Sequence, residues 1–152
     1  MRYRNTSHLL IALALLAMPA ICHASKQPSR ETKRTLSIQC QQEVSDSYRT
    51  DGQEWSGQLT PGRIQEFTLS FYAGVRYRLA YATTVPTQKL SYRVFDPDRN
   101  LLFSSEQHGN PAAWDFIFDS TTECSVVVQL AEPAGAPPEV FALFRLAFRP
   151  SP

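Results

Sequence analysis

Glu66-Phe67-Thr68-Leu69-Ser70-Phe71-Tyr72-Ala73-Gly74-Val75-Arg76-Tyr77-Arg78-Leu79-Ala80-Tyr81 is the stretch on which the fold class turns. Phe67, Leu69 and Phe71 recur at every second residue, and after Ala73-Gly74 the alternation resumes with Val75, Tyr77, Leu79 and Tyr81 against Arg76, Arg78 and Ala80. A period of two sends successive side chains to opposite faces of an extended chain, which marks half-buried strands. The glycine permits a tight reversal, so the stretch predicts two strands joined as a hairpin.

The alternation extends in both directions. Leu36, Ile38 and Cys40 share one face from Thr35 onward and predict a first strand. Leu90, Tyr92 and Val94 alternate with Ser91, Arg93 and Phe95, and Asp96-Pro97-Asp98-Arg99-Asn100 then supplies the proline, Asp and Asn side chains that favour a turn. Leu101 to Phe103 resumes the sheet, and Trp114, Phe116 and Phe118 alternate with Asp115, Ile117 and Asp119. Cys124, Val126, Val128 and Leu130 form another apolar face, and Val140, Ala142, Phe144, Leu146 and Phe148 close the pattern. The intervening Ala131 to Glu139 holds Pro133, Gly135, Pro137 and Pro138, which cannot continue a central strand. Seven or eight short strands separated by turns, with no sustained helical period bounded by a cap and a stop, predict an all-β chain. The expected architecture is a single antiparallel β-sandwich over residues 35–149.

Ahead of that domain, Arg2 and Arg4 precede an apolar run from Leu9 to Ala17 that is too short to span a bilayer. Cys22-His23-Ala24 places a small residue at the end of a cleavage triplet, so residues 1–24 read as a signal peptide removed after Ala24. The product would start at Ser25, in the periplasm or outside a bacterial cell, with about 128 residues, enough for one domain. The other fate of Cys22 is lipidation as the first mature residue, for which the bulky, β-branched Ile21 before it is ill suited. Residues 25–34, with Lys26, Arg30, Lys33 and Arg34, read as a basic, flexible arm. Loss of Arg2 and Arg4 leaves thirteen basic side chains against fourteen acidic ones, so the formal charge of +1 becomes −1, which argues against nucleic acid as a partner. After Ala24 no apolar run reaches the ~20 residues of a membrane helix.

Removal of Cys22 leaves Cys40 and Cys124 as a pair in an oxidising compartment, which predicts a disulfide between them. Closing a loop of that length would stabilise the fold by about 4 kcal/mol in the chain-entropy model. His8 and His23 leave with the signal, so His108, in the polar stretch Ser104 to Asn110, is the one histidine that stays. A Ser-His-Asp triad would have to be built on it, and a two-histidine zinc site is ruled out. No glycine-rich phosphate loop is present and no cofactor is implied. Asp96, Asp98 and Asn100 have the one-three-five spacing that opens many calcium loops, but Leu101 and Gln107 stand where glycine and a bidentate acid belong, and Asp-Pro is equally a plain turn. Arg76, Arg78 and Arg93 project from polar strand faces and read either as a basic ridge for an acidic surface or as a solvated face paired with Glu66 and other acids. Trp55, in Asp51-Gly52-Gln53-Glu54-Trp55-Ser56-Gly57, reads as a loop tryptophan able to anchor a ligand, whereas Tyr81 and Trp114 fall in register with apolar faces. Glu54 and Asp51 are the one carboxylate pair that suggests acid-base work.

The runs Glu66 to Leu79 and Tyr92-Arg93-Val94-Phe95-Asp96-Pro97-Asp98-Arg99-Asn100-Leu101-Leu102, with Phe116-Ile117-Phe118 before Cys124 and Cys40 near the start, resemble the GOLD domain. They are similar also to the bacterial pre-peptidase C-terminal sandwich, in which a strand, a glycine turn and a second strand precede a valine-aspartate-proline turn. The resemblance covers roughly Leu36 to Leu130 and implies a jelly-roll or GOLD-like sandwich that binds proteins or other ligands without catalysis. The coiled coil, membrane helix and cytoplasmic tail of GOLD-bearing cargo receptors have no counterpart, so vesicle trafficking is not implied. The expected function is an exported, non-catalytic sandwich that binds a protein, through Trp55, Arg76, Arg78, Arg93, the Asp96 turn, or the loops around His108 and Pro137. The alternatives are a carbohydrate-binding module using Trp55, or an inhibitor of a secreted hydrolase such as lysozyme.

Overall fold

The computed structural model describes residues 26–86, 89–131 and 139–149. The signal peptide, with Cys22 and its cleavage site, and the loop at Pro137 lie outside the described residues. In chain order the elements are α1 (Arg30–Val44), β1 (Arg49–Leu59), β2 (Ile64–Phe71), β3 (Arg76–Thr83), β4 (Leu90–Phe95) and β5 (Leu101–Ser104). A 3-10 turn (Ser105–His108), β6 (Ala113–Phe116), β7 (Thr122–Leu130) and β8 (Val140–Arg149) follow. Two four-stranded antiparallel sheets result, ordered β1-β8-β3-β6 and β2-β7-β4-β5.

The period-two pattern is the reason the sheets face each other. Tyr77, Leu79 and Tyr81 of β3 pair with Phe148, Leu146 and Phe144 of β8, and this face meets Leu69, Phe71, Tyr92, Val94, Val126 and Val128 of the other sheet in one buried cluster. Aromatic rings bridge the gap: Trp55 stacks on Phe67 at 5.1 Å, and Tyr92 meets Phe144 edge-on at 5.7 Å. Such pairs add specificity of geometry to the burial of apolar area. The hairpin read at Asp96 to Asn100 joins β4 to β5, with Val94 opposite Phe103, and Arg99 takes the left-handed conformation there (φ 65°).

The stretch that predicted a hairpin is instead a crossing between sheets. β2 lies in one sheet and β3 in the other, and Tyr72 to Val75 carries the chain across, with Gly74 at φ +72°. A second crossing, from β6 to β7, runs beside it, and the Gly74 N–H donates to the Phe118 carbonyl at 2.8 Å. Both strands point alternate residues at the same core, so alternation alone does not distinguish strands that pair from strands that face each other.

A larger correction concerns the start of the chain. The expected arm over 25–34 and the first strand at Leu36, Ile38 and Cys40 are replaced by α1, which packs on the outer face of the β1-β8-β3-β6 sheet. Leu36, Cys40 and Val44 recur every four residues and are buried against Ala80, Ala82, Leu143 and Ala147, while Ile38 is 56% exposed. Small side chains in the sheet let the helix sit close. The Ser29 side chain caps α1 by accepting from the Thr32 N–H at 3.1 Å, and Glu31 sits in the first turn, where the helix dipole favours an acid. Residues 26–29 also have fixed contacts: the Gln58 N–H donates to the Lys26 carbonyl at 2.9 Å along the outer edge of β1.

The helix also overturns the expected disulfide. Cys40 and Cys124 are both buried free thiols. Cys40 lies in the layer between α1 and its sheet, and Cys124 belongs to the core between the two sheets. Burial pushes the Cys40 thiol up to about 12 and raises that of Cys124 as well, so both stay protonated and poorly nucleophilic. Protein lacking residues 1–24 and kept free of reductant is expected to yield two reactive thiols per chain in denaturant and very slow reaction when native; a chain without thiols in denaturant would restore the disulfide. Leu36→Ala is expected to cost about 2–5 kcal/mol of stability, read as a shift in the urea midpoint.

Candidate functional site

Trp55 does not stand in a loop. It lies on β1, partly buried, with its ring parallel to Phe67 and tilted against Phe144 at 6.2 Å. The glycine-bracketed polar stretch is strand, with a register shift between Thr50 and Glu54. Asp51 accepts from the backbone N–H and the side-chain amide of Gln53, at 2.9 and 2.7 Å, and Gly52 (φ +89°) lets the chain bend between them. That bend aims the Gln53 amide at β2, where it accepts from the Ser70 N–H at 2.7 Å and donates to the Ser70 carbonyl at 3.1 Å.

The three arginines do not form one ridge. Arg76 and Arg78 are on β3 and Arg93 is on β4, in different sheets. Arg78 makes a two-pronged contact with Asp115, Nε to Oδ1 at 2.6 Å and Nη2 to Oδ2 at 3.2 Å, and Arg76 approaches Oδ2 at 3.8 Å. Tyr48, just past α1, donates to the same carboxylate at 2.6 Å and lies under the Arg78 guanidinium, whose Nη1 reaches the Val44 carbonyl at 3.5 Å. A carbonyl at a helix C-terminus carries partial negative charge, so this cation is well placed. At the other side of α1, Arg145 donates to Ser37 Oγ at 2.7 Å and to Glu54 at 3.1 Å, and Lys33 pairs with Glu54 at 2.8 Å. These side chains hold the helix to its sheet, and the Glu54 and Asp51 carboxylates read as an acid-base pair are occupied in the fold.

His108 ends the 3-10 turn with its ring parallel to Phe103 at 5.2 Å and against Trp114 at 4.4 Å, on the rim where β5 faces β6. Ser105, fully buried, fixes that turn by donating to Asn110 Oδ1 at 2.8 Å and accepting from the Tyr92 N–H at 2.9 Å. In the proposed calcium turn, Asp96 Oδ1 accepts from the Asn100 N–H and Oδ2 from the Asn100 side chain, both at 2.8 Å, so the turn closes on itself. Asp98 is exposed beside it. Among the described residues, no three His, Cys, Asp or Glu side chains gather as a metal site, and no helix is long and apolar enough to cross a membrane.

Sequence reasoning missed the apolar surface at the two crossings. Tyr72 is 59% exposed and Ile117 54%, on neighbouring connections tied by the Gly74 to Phe118 bond, and Leu101 and Leu102 are exposed on β5. In the sequence Ile117 is the one aliphatic residue on the otherwise acidic face of Asp115 and Asp119, a signal that was available. No protein-family model matches the chain, and no curated protein matches it.

The helix clamps give a pH dependence with a defined sign. Burial acts to raise the Asp115 carboxyl, but hydrogen bonds from Arg78 and Tyr48 outweigh it and hold it below the ordinary 3.8; for Glu54, burial is likewise outweighed by Lys33 and Arg145, which hold it below 4.5. Carboxyls that titrate lower in the folded state stabilise it fully above their unfolded values, and that stabilisation fades as pH falls through the folded ones. The urea midpoint is therefore expected to hold at neutral pH and to fall below about pH 4.5. Asp115→Asn should cost about 1–2 kcal/mol at pH 7 and flatten the acid slope; an unchanged slope would remove Asp115 from the helix clamp.

Proposed function

We propose that this chain is an exported, non-catalytic sandwich of the GOLD or pre-peptidase C-terminal kind that binds a protein partner in the periplasm or outside the cell. The observation that carries the reading is the exposed Tyr72 and Ile117 on adjacent inter-sheet connections. Large apolar side chains on rigidly framed connections suit recognition better than solvation. The framing is tight: the Ala73 N–H donates to Thr121 Oγ1 at 3.2 Å, and Tyr77 receives the Tyr72 N–H on its hydroxyl at 3.3 Å. Support for a binding role over catalysis comes from the carboxylates of Asp51, Glu54, Asp96 and Asp115, each directed at neighbouring groups of the fold. The address rests on residues 1–24 and their cleavage triplet.

A glycan remains the second reading, carried now by a different place. A cleft of about 270 Å³ between α1 and β3 is lined by Gln39, Gln42, Glu43 and Thr83, groups that suit sugar hydroxyls.

Affinity capture with protein expressed behind its own leader decides between them. The exported form is expected to begin at Ser25 and to retain a protein that Tyr72→Ser/Ile117→Ser does not. Equal capture by both forms, or capture abolished by oligosaccharide, would overturn the protein-binding surface in favour of the cleft.

A further inference from the structure

We infer that the cleft between α1 and β3 takes a single sugar ring carrying a free amine, with its hydroxyls over Thr83 and its ammonium against Glu43. The inference rests on the glycan reading of that cleft and names the class of sugar. The cleft opens where two strands end unequally: β6 stops pairing with β3 at Ala80 opposite Ala113, while β3 runs on to Thr83. The last bond on that edge runs from the Tyr81 N–H to the Ala112 carbonyl at 2.9 Å. The Thr84 N–H turns the other way, to the Phe141 carbonyl of β8 at 2.9 Å, and backbone direction alternates along the chain, so the Thr83 N–H faces the cleft. Thr83 lines the cleft and is only 7% exposed, yet among the described residues neither its hydroxyl nor that N–H has a partner. A polar residue so buried ordinarily finds a hydrogen bond within the fold, so this floor suits a ligand that brings its own hydroxyls.

The opposite wall is one turn of α1, where Gln39, Gln42 and Glu43 stand three and four residues apart and so share a side of the helix. Ala82, Pro86 and Ala112 complete the lining and give the C–H face of a ring an apolar surface. The volume, about 270 Å³, falls just under the ~300–1,000 Å³ of pockets that hold drug-sized ligands, so one ring fits and a folded chain of sugars does not. Charge then selects among sugars. Glu43 is the one charged residue lining the cleft, and among the described residues it has no ion pair. It stands in the last turn of α1, which holds no basic residue and whose carbonyls carry partial negative charge. The same carboxylate adds to burial in raising the Tyr81 phenol, so its charge is felt at the strand wall. An ammonium placed there makes charge-assisted hydrogen bonds that a neutral sugar cannot, whereas a phosphorylated or acidic sugar is repelled.

The test is a titration of isotope-labelled protein, residues 25–152, followed by NMR of the Thr83 backbone amide and the Gln39 and Gln42 side-chain amides. The probes are glucosamine at pH 6, where its amine is protonated, with glucose and N-acetylglucosamine as neutral sugars and putrescine as a cation without hydroxyls. The expected result is saturable shifts of all three amides with glucosamine, and binding about two- to fivefold weaker for each of the other probes. Glu43→Gln, on the exposed side of the helix, should bring glucosamine down to the level of glucose, and the isosteric Thr83→Val should weaken all three sugars alike. Equal binding of glucose and glucosamine, or putrescine matching glucosamine, would overturn the inference, the first leaving the glycan reading standing. Amides unmoved by any sugar would overturn both.

Discussion

β8 must be buried on both faces, and most of the architecture follows from that. Val140, Phe141, Ala142, Leu143, Phe144, Leu146 and Ala147 are all buried, with Arg145 the one polar interruption. Val140, Ala142, Phe144 and Leu146 look into the gap between the sheets, whereas Phe141, Leu143 and Ala147 look out the other side. A two-sheet sandwich covers the first set and leaves the second in water. The second layer has to come from elsewhere in the chain, and α1 supplies it with Leu36, Cys40 and Val44 over a floor narrowed by Ala80 and Ala82. Strands apolar on both faces are ordinarily those with a layer on each side.

The same constraint explains the arginines. A helix docked through three buried residues offers a small apolar contact, and its rotation and slide along the sheet are set by what surrounds that contact. Arg145 emerges from the doubly covered strand itself and meets Ser37, Gln41 and Glu54, while Arg78 ties the last turn and Tyr48 to Asp115. The side chains of Arg78, Asp115, Arg145 and Glu54 are about three-quarters screened from solvent or more, so their hydrogen bonds are firmer than those of open surface pairs. A basic residue on a polar strand face looks available for a partner only while the sheet is imagined bare.

Legibility in the sequence followed the physics of each signal. β4 and β7 were readable because alternation reports a buried face, β5 because the Asp-Pro turn reports a reversal, and β8 as an apolar run whose second covered face the one-face pattern did not show. Sheet membership was not, because β2 and β3 carry the same inward alternation whether they pair or oppose. α1 was hidden by a coincidence of spacing: Leu36 and Cys40, four apart, satisfy both a strand face and a helix face, and only Val44 and the Ser29 cap separate the two. Misreading it carried the cysteines along, since Cys40 on a first strand would share the core with Cys124, whereas on a helix it lies beyond a whole sheet. Trp55 was misplaced for a local reason. Asp51-Gly52 does bend the chain, but as an irregularity within a strand, and the tryptophan beyond it returns to the core.

The edges of the sandwich are finished unequally, and this bears on function more than the core does. An exposed strand edge invites association, and proteins ordinarily blunt it. On β1 the stretch before α1 lies along the edge, with Lys26 bonded through its carbonyl to Gln58 and through its ammonium to Glu139. On the opposite rim, β5 and β6 span four residues each, too short to template much. β2 is eight residues long, and among the described residues the backbone of its outer edge is met at Ser70 alone, by a side chain that a register irregularity in β1 is needed to deliver. On the outer face of that strand the Glu66 carboxylate is taken by the Arg99 guanidinium from the turn between β4 and β5, so the side chain beside the open backbone stands as an ion pair and not as a free charge.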